Sequence, residues 1–306
     1  MTLLTVIIAN YNNGHLLQES VNSIFQASDI NDLEILIVDD HSTDQSREVI
    51  EELRQRFHVS AHFREKNGGV EAAFNTGISL ARGDYVHLFA ADDHYLPGAA
   101  QTMIELIKQN THISLFCSDH ASFSEGNPQE IHTKKMLPAS QFIHFSPQQI
   151  YRLFSHTDFW IPGHTVFARK TTYLSYGPQD KRLRSVADWY INHRIALDHG
   201  IGYFPGPLIA RREDPHSYSS SIPMNERRAI WLYLLSLFRQ SANNNKLSRS
   251  GICRILGLKA IYLDLLKKPS YWKYLFPMLR KETEKKCFDY LNVDLNAFWL
   301  RRLQMD

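Results

Sequence analysis

Three short apolar runs in this chain each stop abruptly on polar or acidic residues, and that repeated punctuation limits the fold more than any other feature. Leu3–Ala9 is broken by Asn10-Tyr11-Asn12-Asn13-Gly14, Leu33–Val38 ends at Asp39-Asp40-His41-Ser42, and Tyr85–Ala90 ends, after Ala91, on Asp92 and Asp93. Unbroken apolar runs of this length suit strands buried on both faces of a parallel sheet. Helical spacing fills the intervals. Leu16–Phe25 is one helix, and about Asp44–Phe57 is another, with Ser42 or Thr43 able to cap it. Asn67-Gly68-Gly69 opens a helix through Leu80, and Pro97–Gln109 follows. His58–Phe63 reads as a weaker strand and Ile113–Cys117 as a fifth. Strand–helix alternation predicts an α/β fold, a doubly wound, mostly parallel sheet with right-handed crossovers. All three polar clusters then fall on one edge, at the carboxyl ends of the strands, where open α/β sheets bind ligands. Adjacent acids such as Asp92 and Asp93 repel unless a hard cation, magnesium or manganese, lies between them, or unless they form a solvated turn.

Composition narrows the function classes. The chain has 306 residues, and its formal net charge of +2 gives no reason to expect nucleic acid. Cys117, Cys253 and Cys287 lie far apart with no CxxC pair, which argues against a zinc site or disulfide framework and suits a reducing, cytoplasmic compartment. The start, MTLLTVIIANYNN, lacks a basic segment and runs into a strand, which reads as no signal peptide. No run of about 18 apolar residues is present to span a membrane.

Ser118–Ser140 is polar and reads as a long lid or binding loop. Pro147–Phe154 is helical in pattern and Thr165–Ala168 is a short strand. Between them Trp160 and His164, beside Pro162-Gly163, can form a platform for an acceptor sugar or simply pack. Arg184–His199 predicts a helix with one core face and Asp188 in its first turn, where the helix dipole alone would also favour an acid. Gly206–Arg212 is a further strand. Beyond about residue 221 the pattern turns helical, at Met224–Gln240, Leu247–Leu266 and Tyr271–Leu291. Within Lys259–Arg302 ten Lys or Arg outnumber five Asp or Glu, a net of +5. Such a tail suits a cap on the catalytic domain, a homodimer contact, or a peripheral contact with anionic lipid at the inner face of the cell membrane. The expected division is 1–221, split at 117 into a nucleotide-sugar half and an acceptor half, followed by a 222–306 helical region.

The motifs TVIIANYNN, ILIVDDHSTDQS and NGGVEAAFNTGISLARGDYVHLFAADDHYLP, in that order and at those separations, resemble family 2 glycosyltransferases of the GT-A fold. The resemblance is strong over about Leu3–Cys117 and looser to about Ser221. It implies a nucleoside-diphosphate sugar donor, UDP or dTDP favoured, with Tyr11 stacked on the base and Ala9 and Asn10 shaping its pocket. Asp39 would accept a base N–H, Asp40 would hold the loop or reach the ribose, and Asn67, Gly68 and Gly69 would offer N–H groups to the diphosphate. The family's acidic motif is usually Asp-x-Asp, whereas here it reads Ala90-Ala91-Asp92. The resemblance therefore leaves Asp92 as metal ligand with Asp93 as helper, and removes one ribose contact. It also implies that Arg212 and His216 neutralise the leaving group and that Asp188 is the catalytic base.

These readings together predict a metal-dependent, inverting glycosyltransferase acting on a saccharide or lipid-linked saccharide acceptor in bacterial surface polysaccharide or glycolipid synthesis. Two rivals share the fold expectation. A nucleotidyltransferase would carry a basic Gly-rich loop after the first strand, and Asn10–Gly14 has no Lys or Arg. A degenerate sugar- or nucleotide-binding module would account for Ala90.

Overall fold

The computed structural model describes residues 2–25, 32–125, 127–215, 217–240 and 302. Its organising element is β1 (Leu4–Asn10), whose side chains alternate between two apolar layers. Val6 and Ile8 face one layer and Ile7 the other, and Ile35 and Ile37 against Leu36 and Val38 repeat the division in β2 (Leu33–Asp39). A strand apolar on both faces needs helices on both sides. The first layer is supplied by α1 (Gly14–Phe25), α2 (Ser46–Phe57) and α4 (Ala99–Gln109). The second comes from α3 (Val70–Leu80), α5 (Pro147–His156), α6 (Lys170–Ser175), α7 (Ala187–His199) and α8 (Met224–Gln240). The fit of α3 on β1 is tight: a Cβ on Gly77 would overlap Ile7.

The remaining strands are β3 (Ser60–Phe63), β4 (Tyr85–Ala90), β5 (His94–Tyr95), β6 (Leu115–Ser124), β7 (Asn127–Lys134), β8 (Ile143–Phe145), β9 (Phe167–Arg169) and β10 (Ile201–Glu213). The sheet runs β3-β2-β1-β4-β9-β6-β10-β5, with β7 on β6 and β8 on β10. From β3 through β4 every pairing is parallel, as the alternation predicts, and β6 also lies parallel to β10. The other pairings are antiparallel, because β9 inserts between β4 and β6 and the short strands β5, β7 and β8 fold back as edges. The sheet is therefore mixed in its second half.

Three local expectations change. The stretch expected as a loop over 118–140 contains most of β6 and the hairpin strand β7. Polar residues hide there because tertiary partners satisfy them. Buried Asp119 accepts from Met136 N at 2.7 Å, from Gly206 N at 2.9 Å and from the Tyr203 hydroxyl. Neither Ser42 nor Thr43 caps α2, which begins at Ser46, since Ser42 is drawn into the ends of β1 and β2. Pro97 lies in a turn ahead of α4, whose N-cap is Gly98 at φ 76°.

Of the C-terminal region, α8 shares the second core layer through Ile230, Trp231, Leu234, Leu235 and Phe238, and Tyr233 donates to Asp180 at 2.7 Å. The segments Leu247–Leu266 and Tyr271–Leu291 and the basic tail lie outside the described residues. No helix among the described residues is long and apolar enough to cross a membrane.

Candidate active site

The register of the parallel strands builds one edge of the site. Asn10 stands opposite Asp39, and Ala9 opposite Ala90, so the polar ends of β1, β2 and β4 lie side by side. Asn10 is buried and its Nδ2 donates to Asp39 Oδ1 at 2.8 Å and to Ser42 Oγ at 3.3 Å. Asp39 Oδ2 accepts from Ser42 N at 3.0 Å, which leaves it a lone pair for a further donor. Ser42 Oγ also accepts from Asn12 N at 2.9 Å, and Asn12 Oδ1 accepts from Thr43 N at 2.8 Å. Asn12 and His41 hold left-handed backbone at φ 54° and 67°, so the two strand ends are locked together by side-chain bonds rather than by regular turns. On this frame Tyr11 is 46% exposed.

Asp40 points into the protein. Its carboxylate pairs with the Arg64 guanidinium and accepts from Gly68 N at 3.1 Å and Gly69 N at 2.7 Å. A carboxylate at the start of α3 is stabilised by these N–H groups and by the helix dipole. The expectation that Gly68 offers its N–H to a diphosphate is therefore corrected, because Asp40 already holds it. Asn67 is exposed and its Oδ1 accepts from Gly69 N at 3.1 Å, closing the same turn. Gly68 serves a close approach, as a Cβ there would meet Arg64 Nη1 at 2.6 Å.

Asp92 and Asp93 have opposite environments. Asp93 is buried, and its Oδ1 accepts from Arg212 N at 3.0 Å. Burial and then the charge of Asp92 push its carboxyl well above the usual range. An inward, hydrogen-bonded carboxyl of this kind is a support for the loop, so Asp93, expected beside Asp92 at the metal as its helper, faces away from a direct ligand's position. Asp92 is partly exposed, and its carboxylate accepts from no other residue among those described. Burial raises its pKa, opposed by Arg212 and Arg211. Arg212 is buried: its Nε donates to Asp92 O at 3.2 Å, its Nη2 lies 3.3 Å from Glu19, and its guanidinium stands 4.9 Å from the Phe123 ring centre. Its head group thus braces the acidic loop from below, where a leaving-group contact was expected. His216 lies outside the described residues. Among the described residues no group of three or more His, Cys, Asp or Glu could hold a metal ion. The donor set fits a cation that takes one protein carboxylate, from Asp92, and fills its remaining positions with phosphate oxygens and water.

Asp188 stands in the first turn of α7, half-buried, with its carboxyl pushed up to about 6 by desolvation and by the charge of Glu71, against the lowering effect of Trp189 N–H. It lines a small hollow, partly open to solvent, with Val86 and Leu88 of β4, Gly163, Val166, Ala168, Tyr173 and Asn192. The hollow ties Asp188 to the strand whose end carries Asp92. The Gly163–Thr165 turn beside it is fixed from below by fully buried His87, whose Nε2 lies 3.0 Å from His164 O and whose pKa falls to about 4 through burial. A Cβ on Gly163 would overlap the Asp188 carboxylate. Tyr218, just after β10, donates to buried Glu71 at 2.9 Å and brings that segment over the start of α3.

Trp160 and His164 do come together, joined by His120, which the sequence reading had placed in a loop. The His120 ring is 6.2 Å from that of Trp160 and 5.0 Å from that of His164. His120 Nδ1 and His164 Nε2 are buried without hydrogen-bond partners among the described residues, and burial lowers the pKa of both rings.

The family described as Glycosyl transferase family 2 matches residues 5–172 of this chain. The chain belongs to that family. Within it, the chain is 35% identical over 130 residues to an uncharacterised glycosyltransferase of Nostoc sp., covering 42% of this chain and 39% of that protein. It is 33% identical over 107 residues to the GalNAc(5)-diNAcBac-PP-undecaprenol beta-1,3-glucosyltransferase of Campylobacter jejuni, 34% of each chain. The chain thus spans less than two thirds of the length of these curated relatives. In three dimensions it is similar to residues 1–349 of S. aureus TarS, solved in complex with UDP-GlcNAc, with a TM-score of 0.64 and 17% identity, over 83% of this chain and 72% of that one. That likeness is one of fold, and the fold is of the GT-A type.

Proposed function

We propose that the chain is an inverting, metal-assisted glycosyltransferase that moves a sugar from a nucleoside diphosphate, UDP or dTDP, to an acceptor hydroxyl. The observation that carries the reading is a pair of carboxylates raised by burial and short of partners, Asp92 at the end of β4 and Asp188 over the hollow that β4 lines. Tyr11 offers a stacking face for the base and Asp39 Oδ2 a lone pair for a base N–H. Asp92 is the residue that would hold a manganese or magnesium ion, which supplies Lewis-acid stabilisation to the departing diphosphate. Asp188 takes the proton of the acceptor hydroxyl as that oxygen bonds the anomeric carbon and the bond to the diphosphate breaks. A pKa near 6 keeps this base ionised at neutral pH while leaving it strong enough to accept a proton. Trp160, partly exposed with His120 and His164 packed behind it, offers an aromatic face suited to an acceptor sugar. A lipid-linked saccharide acceptor is the class named for the Campylobacter relative.

The test is calorimetry with UDP and manganese on the wild type and on Tyr11→Ala. The account expects binding, weakened in the variant by ~1–3 kcal/mol through loss of the stacking face. Equal affinity in the two proteins would remove this edge as the nucleotide site.

A further inference from the structure

Asp188 and Asn192 are one helical turn apart, so both project from the same face of α7. Both line the hollow behind the catalytic carboxylate, whose opposite wall is apolar. Asn192 is 2% exposed, yet its Oδ1 has no hydrogen-bond partner among the described residues. Leaving such an acceptor buried and unpaired forfeits its hydration with nothing in return, so a partner is expected in the space it faces. The third polar group at the hollow is Tyr173 of α6, which is 2% exposed. Its hydroxyl oxygen accepts from Gln179 Nε2 at 2.9 Å, which leaves the hydroxyl proton to be donated. Burial and the nearby charge of Asp188 keep that proton in place across the working range. One acceptor, one donor and one carboxylate around a small hollow satisfy the requirements of a bridging water, which needs two to four polar partners.

We propose that Tyr173 and Asn192 are positioning residues for Asp188, joined to it through a water held in the hollow they line. Tyr173 donates to that water, the water donates one proton to the Asp188 carboxylate, and Asn192 Oδ1 accepts the water's other proton. The network aims the carboxylate from behind, while Gly163 leaves it room on the side away from the helix. It also stabilises the ionised form of Asp188, because a donor hydrogen bond favours the charged carboxylate. The inference rests on the reading of Asp188 as the base, but the network exists or fails independently of that role.

The charged and titratable groups on the elements around α7 are several. They include Glu71 of α3, Arg152 and His156 of α5, Lys170 of α6, Cys117, Asp119 and His120 of β6, His164 of the turn below, and Lys181, Arg182 and Arg184 just before α7, the last 3.8 Å from Glu226. All of them are shared by the wild type and the variants below, so a difference between those proteins reports the network.

The experiment is a carbon-13 NMR titration of the full chain labelled at aspartate carboxyls, from pH 4 to pH 9, with the Asp188 signal assigned by its loss in Asp188→Asn. The wild type is expected to titrate near 6. Removing the donor in Tyr173→Phe, or the acceptor in Asn192→Leu, is expected to raise the midpoint by about one pH unit, the size of one charge-assisted hydrogen bond. The corresponding kcat of Tyr173→Phe is expected to fall at both pH 6 and pH 8, about fivefold further at pH 6, with the KM for donor unchanged. An Asp188 midpoint unmoved in both variants, each still melting cooperatively, overturns the proposal. If Asp188→Asn retains full turnover while the midpoints shift as expected, the network stands and the reading of Asp188 as base is the one that fails.

Discussion

Asp40 and Asp188 are both acids at the start of a helix, and their surroundings differ in almost every respect. Asp40 is buried at the start of α3 with a guanidinium and two backbone N–H groups on its oxygens. Asp188, at the start of α7, has backbone N–H groups only, a hollow with one apolar wall behind it and the like charge of Glu71 nearby. The dipole favours both carboxylates equally, so partner supply sets them apart. A saturated acid holds structure together, whereas an acid short of partners is raised toward neutral pH and is available for chemistry. Asp93 and Asp92, just past the end of β4, repeat the difference in partners but not in pKa, since burial and the charge of Asp92 push the Asp93 carboxyl up as well.

Replacing the under-partnered acids breaks this comparison most severely. Asp188→Asn is expected to keep nucleotide affinity and lose about 10²–10⁴-fold in turnover, the share of a general base. Wild-type turnover should be half-maximal near pH 6 and fall about tenfold per unit below it, since the base must be ionised. Asp92→Asn is expected to cost on the order of 10²-fold, with chelator abolishing wild-type turnover. Full activity in chelator would show that the acidic loop has another task. Gly163→Ala sharpens the account further. Its backbone lies outside the left-handed region, so the added Cβ acts by displacing the Asp188 carboxylate. A loss of about 10-fold to 10²-fold in kcat, with the donor KM unchanged, is expected.

The smallest effect is on stability, and its sign opposes that on activity. Asp188 binds its proton more tightly in the folded chain, near 6, than in the unfolded chain, near 3.8. Stability therefore declines as pH rises between those values and stays lower above them. Asp188→Asn removes that penalty and should stabilise the fold at pH 8 by on the order of 1–2 kcal/mol, measured by chemical denaturation. Asp40→Asn should destabilise it at the same pH, because it weakens a satisfied buried pair. A destabilised Asp188→Asn protein would contradict the assignment of desolvation as the cause of the raised pKa.

What the sequence conveyed follows the range of its signals. The ends of β1, β2 and β4 were legible because an apolar run stopped by Asn or Asp is a local pattern, and parallel pairing then aligns the three ends. That Asp40 consumes the N–H groups of Gly68 and Gly69 was not legible, since the partners lie 28 and 29 residues apart with no pattern to link them. The polar half of β6 looked like a loop because the groups that satisfy Asp119 come from as far as Gly206. Asp188 stood out as an acid opening a helix. Tyr173, Asn192 and Gly163 did not, because their relation to it exists only once α6, α7 and the 163–165 turn are packed. An i, i+4 spacing of Asp188 and Asn192 was the one available hint.

The central claim is a single displacement, with Asp92 on the leaving-group side and Asp188 on the acceptor side. The anomeric configuration of the product, read from proton NMR couplings during turnover of a UDP-sugar, tests it most directly. The account predicts a configuration opposite to that of the donor. A retained configuration would contradict it, since one in-line attack assisted by Asp188 can only invert that centre.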